Sequence, residues 1–185
     1  MKRLKQEAVG ELVRRLREQR GLTLRSFGAA TDFSPSFLSQ LENGLVSPSI
    51  SSMERIASAL GVTLGEFFGS LGASESGVVV RGDSRVQFPS GWSQATVEAL
   101  SPMQRGRLVE PMLVTLQPGG RSSKHPTAKP REEFAYVLEG EVELTLGPDT
   151  FELRAGDSVT ILRGELRRWR NDSGSSARIL VVLVV

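Results

Sequence analysis

Residues 21–44 read GLTLRSFGAATDFSPSFLSQLENG, and their punctuation decides the first half of the fold. Thr23 can cap one short helix, which ends in a tight turn over residues 31–33. Ser34 followed by Pro35 opens a second. A serine at N-cap accepts an orphan backbone N–H, and a proline at N1 has none to waste. Gly44 closes that helix. Two short helices joined by a tight turn, the second presenting small polar residues, make a helix-turn-helix pattern. The flanks agree. Val9, Leu12, Val13 and Leu16 form one apolar stripe at helical spacing, Leu38 and Leu41 belong to another, and Ile50, Met53, Ile56, Ala57 and Leu60 form a third. Four or five short helices therefore run up to Phe68.

The period then changes. GSLGASESG, residues 69–77, is small, polar and glycine-rich, and reads as a linker. Beyond it come short β-rich runs divided by turn signals: VVVR, RLVEPMLVTLQ, FAYVLEG, EVELTLG, TFELRAGD, SVTIL and ARILVVLVV. EVELTLGPDTFEL alternates around a Gly-Pro-Asp turn and predicts a hairpin. The sequence thus predicts an α + β chain of two domains, helical over 1–68 and β over 78–185.

Composition narrows the chemistry. A chain of 185 residues can bury a real core in two small domains. With no cysteine and a single histidine, disulfides, thiolate metal sites and cysteine nucleophiles are excluded, as is a three-histidine metal site within one chain. The basic start lacks the apolar core of a signal peptide, and no apolar run approaches a membrane span, so a cytoplasmic protein with no membrane partner is expected. Residues 1–68 hold nine Lys/Arg against seven Asp/Glu and the remainder fourteen against fourteen, so the whole net charge of +2 lies in the helical part.

Residues 8–68 resemble, without a gap, the lambda-repressor-like, Xre-type DNA-binding domain. The likeness is carried by SPSFLSQLENG and SPSISSMERIASALGVTLGEFF. It implies a five-helix bundle whose recognition helix, residues 34–43, enters the major groove. Ser34 begins that helix. Ser36, Phe37 and Gln40 would face base edges, Gln40 pairing with adenine and Phe37 pressing on a thymine methyl. Thr23, Arg25, Ser39 and Asn43 would lie near phosphates. Arg17 and Glu42 match a family pair that ties the first helix to the end of the recognition helix. Leu24 stands where the family usually has glutamine, and Asp32 where it usually has a turn glycine; aspartate tolerates the left-handed conformation that such a turn needs.

The β half resembles a cupin, a jelly-roll β-barrel. One motif is carried by Gly119, His125, Glu133 and Gly140, the other by Gly156, Gly164, Arg167 and Asn171. The positions that hold metal ligands in metal-bearing cupins read His125, Thr127, Glu133 and Arg167 here. His125 and Glu133 alone leave a transition metal short of ligands, and a permanent cation at 167 repels it. No cofactor and no metal are expected. Strand alternation puts Glu133, Ala135 and Val137 on one face, and Arg167 with Trp169 on one face of another strand; Phe134, Tyr136, Arg168 and Arg170 face outward. If the two inner faces line one cavity, Arg167 and Glu133 form an internal ion pair. Two readings stay open: the pair plugs a barrel that only dimerises, or the barrel binds a small anionic or zwitterionic metabolite. In the second, Arg167 clamps a carboxylate or phosphate, Trp169 forms a wall, and His125 and Glu133 supply polar contacts.

Together the halves resemble cupin-containing, Xre-type transcriptional regulators. The resemblance implies a non-enzymatic homodimer that binds a palindromic double-stranded DNA operator and responds to a small-molecule effector. The alternatives are a DNA-binding dimer that needs no ligand, and a metal-dependent enzyme similar to the iron epoxidase of phosphonate metabolism.

Overall fold

A computed structural model describes residues 2–3, 6–69, 79–101 and 108–184. Five helices come first: α1 (Gln6–Gln19), α2 (Leu24–Thr31), α3 (Pro35–Glu42), α4 (Ile50–Ala59) and α5 (Leu64–Gly69). Their ends are set by the residues that the sequence marks. Thr23 Oγ1 accepts from Ser26 N, Ser34 Oγ from Phe37 N at 3.1 Å, and Ser49 Oγ from Ser52 N at 3.0 Å. Asp32 ends α2 in the left-handed region, φ 53°, and its N–H bonds back to Gly28 O. Val9, Leu12, Val13, Phe27, Leu38, Leu41, Met53, Ile56, Leu60 and Phe67 close the helical core, each nearly inaccessible to solvent. Among the described residues no helix is long and apolar enough to cross a membrane.

The β region comprises β1 (Lys2–Arg3), β2 (Val86–Ser90), β3 (Ala95–Ala99), β4 (Val109–Leu116), β5 (Thr127–Ala128), β6 (Glu133–Glu139), β7 (Glu141–Leu146), β8 (Asp149–Arg154), β9 (Ser158–Ile161), β10 (Leu166–Arg170) and β11 (Ala177–Val184). They form a seven-stranded sheet, β1-β2-β3-β4-β11-β6-β9, and a four-stranded sheet, β5-β10-β7-β8. A closed barrel was the expectation, and here the structure differs: the two sheets are not joined into one ring of ladders. The four-stranded sheet ends at β5, two residues flanked by Pro126 and Pro130, which donate no ladder hydrogen bond.

Three further differences concern single elements. VVVR forms no strand over its described residues 79–81, whereas β2 and β3, absent from the sequence reading, pair along four registered positions. Lys2–Arg3, expected with the helices, pairs in parallel with β2. The expected linker, apart from Gly69 at the end of α5, lies outside the described residues. The β7–β8 hairpin forms about Gly147-Pro148, with Leu146 opposite Asp149. At Gly140 a φ of +77° coincides with close approach: a Cβ there would stand 2.7 Å from Ser176 O, so only glycine fits the β6–β7 turn.

The helical region is fastened onto the β region at the start of α4. Gly91 N donates to Ser47 Oγ, Ser90 Oγ to Pro48 O at 2.8 Å, and Ile50 N to Ser93 Oγ at 3.2 Å. Through Ile50, Ser51 and Glu54, α4 thereby lines the space between the two sheets.

Candidate functional site

Two sites emerge, one on α3 and one between the sheets. On α3 the apolar Leu38 and Leu41 are buried, while Ser34, Ser36 and Gln40 are exposed on the other side. Phe37 is only half-exposed; its ring packs on Phe33 at 4.9 Å, and the Arg55 guanidinium covers Phe33 at 4.4 Å. Thr23 and Arg25 are exposed on α2, and Ser39 is half-buried. Asn43 is exposed but engaged: its Nδ2 donates to Ser39 O at 2.8 Å and its Oδ1 accepts from Arg14 Nη2 at 2.7 Å. The helix is held from behind by Arg17, whose Nε and Nη2 donate to both Glu42 oxygens at 2.6 and 2.9 Å. That hydrogen bonding to Glu42 raises the guanidinium pKa above its ordinary value, against the opposing effect of burial.

Between the sheets, β6 turns Glu133, Ala135 and Val137 inward and β10 turns Arg167 and Trp169 inward. Their side chains meet. Arg167 Nε and Nη2 donate to Glu133 Oε2 at 3.1 and 3.0 Å, and Trp169 Nε1 donates to Oε1 at 3.3 Å. Arg167 Nη1 reaches Thr127 O at 3.1 Å. Glu133 is 2% exposed, so its charge depends on these partners.

Two members of the cluster escaped the sequence reading. Lys129 Nζ lies 2.7 Å from Glu133 Oε2 and 2.7 Å from Glu54 Oε1 on α4; Glu54 Oε2 lies 3.7 Å from Arg167 Nη2. Burial works against the Lys129 ammonium, but the two carboxylates together outweigh it and hold its pKa above the ordinary lysine value. His125, by contrast, stands outside: the residue is exposed, it is absent from the cavity wall, and among the described residues only its carbonyl is engaged, accepting from Ser123 Oγ at 2.6 Å. The structure does not bring it together with Glu133, Arg167 and Trp169. Pro126 and the two-residue β5 turn the chain inward only after it, at Thr127 and Lys129.

The space between the sheets is small. A cavity of about 30 Å³ lies against Glu54, Lys129, Glu133, Arg167 and Trp169, with Val97, Met112, Leu116, Ile179 and Val181 as apolar wall. That volume suffices for one or two waters. The residues present do not suit a transition metal: both carboxylates are already bound by cations, two fixed positive charges face the space, and no group of three or more His, Cys, Asp or Glu side chains assembles among the described residues.

Comparison with known proteins gives the lineage. A helix-turn-helix family model matches residues 13–67 and a cupin domain model residues 112–183. The HTH-type transcriptional regulator PuuR of Escherichia coli is 32% identical over 178 residues, covering 94% of this chain and 92% of that protein. The chain belongs to the helix-turn-helix transcriptional regulators with a C-terminal cupin domain. An HTH_3 family transcriptional regulator from Vibrio cholerae shares the fold end to end, with TM-score 0.75 and 22% identity over 98% of this chain and 97% of that one. Hydroxypropylphosphonic acid epoxidase from S. wedmorenis shares it more distantly, with TM-score 0.51 and 20% identity over 97% and 98%. Both structural likenesses concern the fold alone.

Proposed function

We propose that this regulator binds a palindromic DNA operator as a homodimer, with residues 1–68 as the DNA-binding unit and 78–185 as the unit that dimerises and senses a small anionic or zwitterionic metabolite. The observation that carries the reading is α3: a capped helix that exposes Ser36 and Gln40, buries Leu38 and Leu41, and is locked from behind by Arg17 and Glu42. Ser36 and Gln40 contact base edges, and Gln40 suits adenine through its paired donor and acceptor. Phe37 adds apolar contact with only part of its ring, since Phe33 holds the rest. Arg25 and the α2 start at Thr23 meet the phosphate backbone; Ser39 and Asn43 line the far end of α3, where Arg14 supplies the charge.

Dimerisation is supported by the outer face of the larger sheet. Phe134 pairs with Val182 and Tyr136 with Leu180, and Phe134, Leu138 and Val184 are each more than 40% exposed. A C2 dimer through this face would present two α3 helices to half-sites about 34 Å apart, or a multiple of that. Sensing is supported by the buried Arg167, whose guanidinium suits a carboxylate or phosphate, beside the Trp169 wall.

Selection from a randomised duplex library tests the reading. An inverted repeat should be enriched. Gln40→Ala should weaken binding by about 1–3 kcal/mol and relax preference at one base of each half-site. Enrichment of no sequence, or an unchanged base preference in the variant, would refute it.

A further inference from the structure

Among the four charged groups at the cavity, Glu54 is the only one contributed by the helical region. Glu133 is fixed in the sheet, 2% exposed at its side chain, and holds Lys129, Arg167 and Trp169 at once. Glu54 rides on α4, is 17% exposed, touches Lys129 closely and Arg167 only at 3.7 Å. It also marks a boundary. A cleft of about 230 Å³ between α4 and β5, lined by Ala30, Arg55, Ser58 and Thr127, shares Ser51, Glu54 and Lys129 with the interior cavity of about 30 Å³. The Glu54–Lys129 pair, with Ser51, forms the partition between the two.

Charge makes this partition informative. Lys129 and Arg167 balance Glu54 and Glu133. Withdrawing Glu54 leaves two cations against one carboxylate inside a wall of Val97, Met112, Ile179 and Val181. An uncompensated charge in such surroundings is costly. The opening therefore stays shut unless another anion takes the vacated place.

We infer that Lys129 and Arg167 form a binding site for a small carboxylate or phosphate, that Glu54 occupies it as an internal stand-in, and that ligand and docked α4 compete for it. This rests on the sensing role proposed above and adds the mechanism by which occupancy reaches the helices. An anion entering from the cleft breaks Glu54–Lys129. α4 then keeps the hydrogen bonds at its start, Ile50 N to Ser93 Oγ and Ser51 N to Ser122 O, beside those made through Ser47 and Pro48, and is released to pivot on them away from the cavity. A ligand that prefers the released arrangement shifts the equilibrium toward it.

Glu54→Ala supplies the test, because it removes the stand-in and opens a carboxylate-sized space. Thermal midpoints of wild type, Glu54→Ala and Glu54→Ala/Lys129→Gln are followed against sodium acetate at constant ionic strength, with acetamide as neutral control. Acetate should raise the midpoint of Glu54→Ala saturably, with a dissociation constant at least about tenfold below that of wild type, since a ligand specific for the folded state stabilises it. Acetamide should do nothing, and the double variant should lose the response. Should Glu54→Ala fold poorly, Glu54→Gln, which keeps the shape and removes the charge, is read in its place: acetate must still stabilise it more than wild type. Equal responses of variant and wild type, or equal effects of acetate and acetamide, would overturn the inference. No DNA enters the measurement. Failure to select an operator would therefore sink the regulatory reading alone, and indifference to acetate would sink this one alone.

Discussion

Replacing Arg167 by methionine should separate a structural plug from a loose surface pair. The guanidinium is 5% exposed at the side chain and gives two hydrogen bonds to Glu133 and two to Thr127. Breaking a buried pair by removing one partner costs about 3–5 kcal/mol, because the other charge is left behind. Lys129 stays 2.7 Å from Glu133 and neutralises it in part, so the low end, about 3 kcal/mol, is expected. Glu133→Gln is harsher: Lys129 and Arg167 are left facing Glu54 alone, and about 4 kcal/mol is expected. In the double variant Lys129 and Glu54 still balance, and the amide introduced by Glu133→Gln can still accept from Trp169. Its cost should fall short of the sum of the singles by about 2 kcal/mol, the coupling expected for residues in direct contact. The assay is urea denaturation followed by Trp169 fluorescence. Trp92→Phe in the background silences the other tryptophan, which is 38% exposed. Additivity within about 0.5 kcal/mol would refute the idea that the two side chains form one buried unit.

Two other outcomes follow from single contacts. Burial beside α5 raises the Glu110 carboxyl above its ordinary 4.5, an effect that hydrogen bonding to Thr63 only partly offsets; among the described residues its Oε2 has no hydrogen-bond partner. The folded state thus holds this proton longer than the unfolded one, and the stability it confers is present below about pH 4.5 and lost as pH rises through the raised value. Glu110→Gln should therefore gain on wild type in urea midpoint from about pH 4.5 toward neutrality, and parallel pH profiles would contradict this. On the outer sheet face, Phe134→Asp should convert the proposed dimer to monomer in sedimentation equilibrium without loss of helical circular dichroism; an unchanged mass would remove that face from the interface.

Much of this architecture could be read from local chemistry. Capping by Thr23, Ser34 and Pro35 and the left-handed Asp32 are decided within three or four residues, so the chain announces them. Period-two alternation likewise sends Glu133 and Arg167 inward, and the sheets bring them together across 34 positions. Glu54 and Lys129 carry no such signal. Glu54 lies on a helix face that could equally meet solvent, and Lys129 sits in a polar loop between prolines; only docking of α4 over the sheets makes them partners. His125 lies apart from the cluster for the opposite reason. Its position in the motif pointed inward, but its chain turns inward only at Thr127. β2 was obscured by Pro89, which reads as a strand breaker yet is accommodated opposite Thr96.

Cations occupy the interior where a metal would need open ligands. Elemental analysis of the full-length protein, purified without chelator or metal-affinity steps, tests that most directly. Iron, nickel, zinc and manganese should each be far below one per chain, in wild type and in Arg167→Met alike. A transition metal retained at one per chain and lost in Glu133→Gln would contradict it.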